Sequence, residues 1–154
     1  MHHLRGTGFD VVVDVSGGVP AIVHWGAPLG EVDLATVTAA AERPIVHGAL
    51  DVVAPCSVVP EHGAGWPGRS GLAGHRRRGT AWSPRFVAAG VEETPSGLRV
   101  RATDEVAGLV LETTFDVDDV LRVRCSVTNT GTDRYLLDQL SVTLPLPDDA
   151  ADLL

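Results

Sequence analysis

Across 97–144, apolar and polar residues alternate with period two, in runs rich in Val, Leu and Thr that are broken by Gly, Asn, Asp and Pro. Such a pattern builds half-buried antiparallel strands, because successive side chains on a strand point to opposite faces. Residues 97–103 set Leu98, Val100 and Ala102 against Arg99 and Arg101; 108–117 reads as a second strand, and Asp118 and Asp119 turn the chain into a third at 120–128. Asn129, Thr130, Gly131, Thr132 and Asp133 predict a further turn, since Asn and Gly tolerate positive φ. A last strand then covers 134–144 up to Pro145. Arg99, Arg101, Arg122 and Arg124 fall on solvent faces, where neighbouring strands bring Glu112 or Asp116 within reach.

Nearer the N-terminus, 9–15 and 21–25 form a hairpin through Ser16, Gly17 and Gly18, with Trp25 expected to fill the core at a strand end. The segment 31–42 is the helical candidate, with Leu34, Val37 and Ala41 on one face and Pro44 beyond its end. Residues 50–59 read as a strand whose Pro55 calls for an edge or a bulge. About eight strands and one short helix make an all-β antiparallel sandwich the expected fold. With 154 residues and 44% hydrophobic content, the chain is sized for one domain over 1–154.

Charge narrows the function. Twenty acids oppose twelve bases for a net charge of -8, and every base is arginine. An acidic chain with a single cationic cluster, Arg76, Arg77 and Arg78, is a poor binder of nucleic acid, and the absence of lysine rules out Schiff-base or phosphate-loop chemistry. Cys56 and Cys125 lie far apart in apolar runs and read as buried thiols, not a disulfide. No window approaches the ~20 apolar residues of a membrane span, and no signal peptide opens the chain, so no membrane partner and a cytoplasmic location are expected.

Self-contained catalysis finds little support. Glu92 with Glu93, Asp118 with Asp119 and Asp148 with Asp149 are adjacent pairs, which strand geometry sends to opposite faces. Ser57, His62 and Asp51 could be drawn as a triad, but no G-x-S-x-G elbow exposes a serine. The histidines lack metal-ligand spacing, so neither a metal nor a cofactor is expected. What remains is 60–86, PEHGAGWPGRSGLAGHRRRGTAWSPRF, which holds two of the three tryptophans and five of the arginines in a glycine-rich stretch. Trp66 beside Arg69 offers an indole face for stacking and a planar fork of donors, a combination suited to sugar or protein contact.

Three segments in order resemble the N-terminal domain of glycoside hydrolase family 36 alpha-galactosidases, in the form typical of actinobacteria: HWG at His24, Trp25 and Gly26; the loop 60–86; and VTNTGTDRYLLDQLSVTLPLP over 127–147. The resemblance implies a β-supersandwich preceding a catalytic (β/α)8 barrel. In the family both catalytic aspartates, one in a lysine-x-aspartate motif, belong to that barrel, so this 154-residue chain is expected to be inactive alone. The parent would release terminal α-linked galactose from raffinose-type sugars with retention. The resemblance also implies that 61–69 reaches a neighbouring subunit's active site in a homo-oligomer. Many members carry Gly-Asp-Phe-Arg there; this chain has Gly65, Trp66, Pro67, Gly68 and Arg69, so the aspartate has no counterpart while the arginine is kept. Glu61, Trp66 and Arg69 are thus the expected substrate or subunit contacts, and the barrel, neighbouring subunits and a galactoside the expected partners. The alternative is a stand-alone carbohydrate-binding or mutarotase-like sandwich, which would need a histidine and a carboxylate converging on one concave face.

Overall fold

Among the residues that the computed structural model describes, 1–42, 47 and 56–145, nine strands form three antiparallel sheets. β1 (His2–Arg5), β2 (Asp10–Asp14) and β3 (Ala21–Gly26) make the first; β4 (Leu72–Arg76) and β9 (Tyr135–Leu140) make the second. The third is a meander of β5 (Val87–Thr94), β6 (Gly97–Asp104), β7 (Leu109–Val117) and β8 (Leu121–Asn129). This is the all-β sandwich that the alternation called for, with α1 (Leu34–Ala41) as its α-helix among the described residues.

The period-two rhythm becomes burial directly. Leu98, Val100 and Ala102 of β6 and Leu109, Leu111, Phe115 and Val117 of β7 face inward, where they join Val11 and Val13 of β2, Ile22, Val58, Val59, Leu72 and Phe86 in one buried cluster. Register places Leu121, Val123, Cys125 and Val127 of β8 opposite Val117, Phe115, Thr113 and Leu111, so they extend the same face. Two of the four outward arginines form ion pairs with the expected acids, Arg99 with Glu112 at 3.8 Å and Arg124 with Asp116 at 2.7 Å, and Arg99 also meets Glu92 at 3.0 Å. These exposed pairs contribute little to stability.

In the first sheet β2 lies between two neighbours, and Asp10 through Val13 are buried. Asp10 is a carboxylate in that interior, and it is satisfied by His3 Nε2 at 2.8 Å and by the Leu29 N–H at 2.8 Å. Burial by itself would push its carboxyl up, but the Leu29 N–H, the His3 ring and the charge of Arg5 outweigh that and hold it below the usual carboxylate range. The β2–β3 turn needs Gly18: its φ is 89°, and a Cβ there would lie 2.5 Å from the Phe86 carbonyl oxygen.

Arg76, at the end of β4, joins the second sheet to the third. Its Nε and Nη2 donate to the Ala107 carbonyl at 2.8 and 2.6 Å, its Nη1 to the Asp133 carbonyl at 2.6 Å, and its Nη2 also to Asn129 Oδ1 at 2.9 Å. The guanidinium carbon sits 5.8 Å from the Tyr135 ring centre. One side chain therefore ties the β6–β7 turn to the 129–133 turn, where the chain leaves the meander at β8 and enters the other sheet at β9.

Several expectations need correction. The helix starts at Leu34 because Asp33 caps it, accepting from Ala35 N at 3.1 Å; Leu34 and Val37 are half-buried, while Ala41 is exposed. Trp25 is 41% exposed: β3 is an edge strand, and an edge covers only part of an indole. Cys56 and Cys125 are unpaired, as expected, but half-buried instead of fully so. Of the strand read at 50–59, residues 50–55 lie outside the described ones and 56–59 are not strand. The final strand is shorter than 134–144, ending at Leu140; beyond it single bonds, Ser141 N to Gly71 O and Thr143 N to Val58 O, both 2.8 Å, replace the ladder. No helix among the described residues is long and apolar enough to cross a membrane.

Two stability measurements follow. Arg76→Met is expected to lower the unfolding free energy of the chain by about 2–4 kcal/mol in urea titration, and Arg76→Lys to recover little of it, because one ammonium cannot replace a fork that reaches several acceptors. For Asp10 the lowered pKa means a contribution present above about pH 4 and lost as pH falls through the lower folded-state value. The gap between wild type and Asp10→Asn should be about 1–2 kcal/mol at pH 6 and close under more acidic conditions, as followed by denaturation across pH.

Candidate functional site

The loop that the sequence singled out is closed on itself at its base. Glu61 is buried, and its Oε1 accepts the Phe86 N–H at 2.7 Å. Its carbonyl accepts from Ala64 N at 3.1 Å and Trp66 N at 3.2 Å around a short 3-10 turn, His62–Ala64, which Gly65 ends in the left-handed region. Arg85 Nη1 donates to the Gly63 carbonyl at 2.5 Å, and Asp104 accepts Arg85 N at 2.7 Å and Ala107 N at 2.8 Å. The two ends of the loop are therefore bonded to each other and to the β6–β7 turn. Burial pushes the Glu61 carboxyl up; the Phe86 N–H and the Arg85 charge pull it back, and Asp104 pushes it up again.

From this base a polar and aromatic rim projects. Trp66 is half-buried and lies across Gly68, where a Cβ would come within 2.8 Å of the indole nitrogen. His62 Nε2 donates to the Gly68 carbonyl at 2.9 Å, which fixes the far side of the same turn. Arg69 is exposed and its Nη2 donates to Gln139 Oε1 on β9. Trp82 is 63% exposed, with its ring 6.4 Å from that of His62 and tilted by 57°.

Of the three residues expected to make contacts, Trp66 and Arg69 lie on this rim, and Glu61 lies beneath it as the strut that holds the loop closed. The structure adds His62, Trp82 and Gln139, which the sequence reading had not placed with them. Trp82 carried a signal, an aromatic side chain in a loop with few apolar neighbours. Gln139 carried none, because β9, YLLDQL, has no alternation to mark which side chains turn toward β4. The rim can stack on an apolar face and donate hydrogen bonds.

The other constellations separate. Glu92 turns to Arg99, while Glu93 meets His2 at 3.4 Å. Ser57 Oγ donates to the Val59 carbonyl at 3.0 Å, His62 is engaged at Gly68, and Asp51 lies outside the described residues. His24 and His75 each bond a backbone carbonyl, of Ala27 at 3.1 Å and of Arg76 at 2.8 Å. Among the described residues no group of three or more His, Cys, Asp or Glu side chains is gathered to hold a metal ion.

Residues 18–154 match the family described as the glycosyl hydrolase family 36 N-terminal domain. The chain is also similar to a protein of Escherichia coli named alpha-galactosidase, with 33% identity over 135 residues that cover 86% of this chain and 19% of that protein. It thus spans less than a fifth of the length of that relative. No solved structure matches the chain.

Because the folded state raises the Glu61 pKa, it disfavours the ionised form; the penalty is full above the folded value and fades as pH falls through the unfolded value near about 4.3. Glu61→Gln keeps an acceptor for Phe86 N–H without the charge, so it should match or exceed wild-type stability at pH 7, with wild type gaining on it below pH 5. Glu61→Ala should instead cost about 1–3 kcal/mol at both pH values by leaving that amide unpaired. Thermal unfolding of the three proteins at pH 7 and pH 4.5 reads both effects.

Proposed function

The chain belongs to the glycosyl hydrolase family 36 N-terminal domain family, and from that membership we propose that it is the non-catalytic N-terminal domain of a retaining alpha-galactosidase. In this reading it packs on a catalytic barrel in the same polypeptide, takes part in oligomer contacts, and lends its loop 61–69 to the sugar pocket. The observation that carries the reading is the combination of a braced base and an exposed rim. Glu61, Arg85 and Asp104 use their polar groups to hold the loop, while Trp66 and Arg69 stay at the surface. A loop that had only to lead into β4 would need neither aromatic nor guanidinium groups on its outer side. Exposed Leu136, 54% accessible, and Leu137 on β9 add apolar surface of the kind that domain packing covers.

The division of labour follows from chemistry. Retaining hydrolysis needs two carboxylates flanking the glycosidic bond, one as nucleophile and one as acid and base. Glu61 and Asp104 are committed to backbone amides inside the fold. The domain's contribution is instead binding: an indole face against the apolar side of a pyranose, and guanidinium donors toward hydroxyls.

The alternative, a stand-alone carbohydrate-binding or mutarotase-like module, draws on one observation. His2 and Glu93 approach to 3.4 Å beside a hollow of about 390 Å³ that Thr94 and Ser96 also line. It ranks second because the Glu93 side chain is 80% exposed, so the pair lies open to solvent and not in an enclosed site.

In the full-length protein, Trp66→Ala and Arg69→Ala should each raise KM for a nitrophenyl α-galactoside by about tenfold, the size of one lost stacking or hydrogen-bonding contact, or shift the assembly state, with kcat retained. Residues 1–154 alone should not hydrolyse it. Unchanged KM and unchanged mass in both variants would remove the loop from the pocket, and mutarotation of galactose by the isolated chain, lost in Glu93→Gln, would favour the alternative.

A further inference from the structure

Arg69 is held by a chain of hydrogen bonds that can run in one direction only. The Gly71 carbonyl accepts from Ser141 Oγ at 3.4 Å; Ser141 Oγ accepts from Gln139 Nε2 at 2.9 Å; and Gln139 Oε1 accepts from Arg69 Nη2. Both ends are single-valued, since a carbonyl only accepts and a guanidinium only donates. The amide between them is therefore fixed with its oxygen toward Arg69, and Nε2 lies 3.5 Å from a second carbonyl, that of Ser70, which favours the same orientation. The β4–β9 ladder supplies the placement, by setting Gln139 opposite Ala73 and Leu140 opposite Leu72.

We propose that Gln139 is the positioning residue for Arg69: it fixes the guanidinium plane so that the remaining donors face a galactoside in the pocket. This rests on the reading of the loop as part of that pocket. Arg69 bonds no other partner among the described residues, so its other N–H groups are available to hydroxyls. An arginine on an exposed loop would otherwise lose side-chain freedom on binding, which weakens the contact it makes. Anchoring one nitrogen to a strand removes part of that cost in advance.

The test uses the full-length protein and Michaelis kinetics on a nitrophenyl α-galactoside. Gln139→Leu should raise KM by about three- to tenfold with kcat unchanged, corresponding to the freedom restored to one side chain. Gln139→Glu still accepts from Arg69 and should stay within about twofold of wild type. Combined with Arg69→Ala, Gln139→Leu should add nothing, as for two residues acting through one contact. Should Gln139→Leu not fold, Gln139→Asn decides: one methylene shorter, it cannot span both Arg69 and Ser141, and it should raise KM in the same way. If Arg69→Ala raises KM while the Gln139 variants match wild type, the positioning role falls and the loop reading stands. If Arg69→Ala itself leaves KM unchanged, the positioning role falls, and the loop reading falls with it when Trp66→Ala also leaves KM and mass unchanged.

Discussion

A single guanidinium holds the two halves of this sandwich in register. The meander β5 to β8 is made of local pairings between consecutive strands. The strand that follows it does not continue the sheet; β9 crosses to pair with β4. At that crossing the backbone of the 129–133 turn and of the β6–β7 turn presents carbonyls that no ladder satisfies, and Arg76 satisfies them from β4 with a planar fork. A buried carbonyl without a partner is costly, whereas a charged donor shared among several carbonyls stabilises all of them at once. The position of the second sheet, and hence of everything mounted on it, depends on this interaction.

The candidate site is mounted on that sheet. Arg69 and Ser70 lead into β4, Gln139 belongs to β9, and the loop base is bonded to Asp104 and Phe86 at the edge of the meander. Its rim is thus attached to both halves of the fold, and movement of one sheet against the other would be felt as misplacement of Arg69 relative to Trp66. Buried acids serve the frame: Glu61, Asp104 and Asp10 each accept at least one backbone N–H. The buried acids thus act as acceptors for backbone amides, while Trp82 and Arg69 stay exposed.

Much of this was legible in the residues, and the parts that were not share a cause. Strands whose one face is buried write their pattern into the sequence, so β6, β7 and β8 could be read from alternation, while β2 and β3 could be read as apolar runs joined by a Ser-Gly-Gly turn. β1, β4 and β5 could not. HHLR and LAGHR have no apolar rhythm and become strands because a partner edge is available, while VAAGVEET is exposed along nearly its whole length and has Gly90 in its interior. In these cases a tertiary neighbour overrides weak local preference. The same holds for the site. Trp66 and Arg69 announced themselves as large recognition-prone side chains in a glycine-rich loop, but Gln139 becomes relevant only through a contact between positions 70 residues apart. The run Arg76 to Arg78, a single cationic cluster in the sequence, divides in the fold: Arg77 and Arg78 leave their charge at the surface, and Arg76 is the clamp.

The crossing of β9 also sets an order of assembly. Hairpins close short loops and form early, so the meander can collapse as soon as residue 129 is available, whereas the β4–β9 ladder must close a loop that contains the entire meander. On a chain emerging from the ribosome, the loop 61–69 would leave the exit long before the strand that anchors Arg69. Arg69 is thus synthesised 70 residues ahead of Gln139, and its loop takes its final geometry only once β9 has paired with β4.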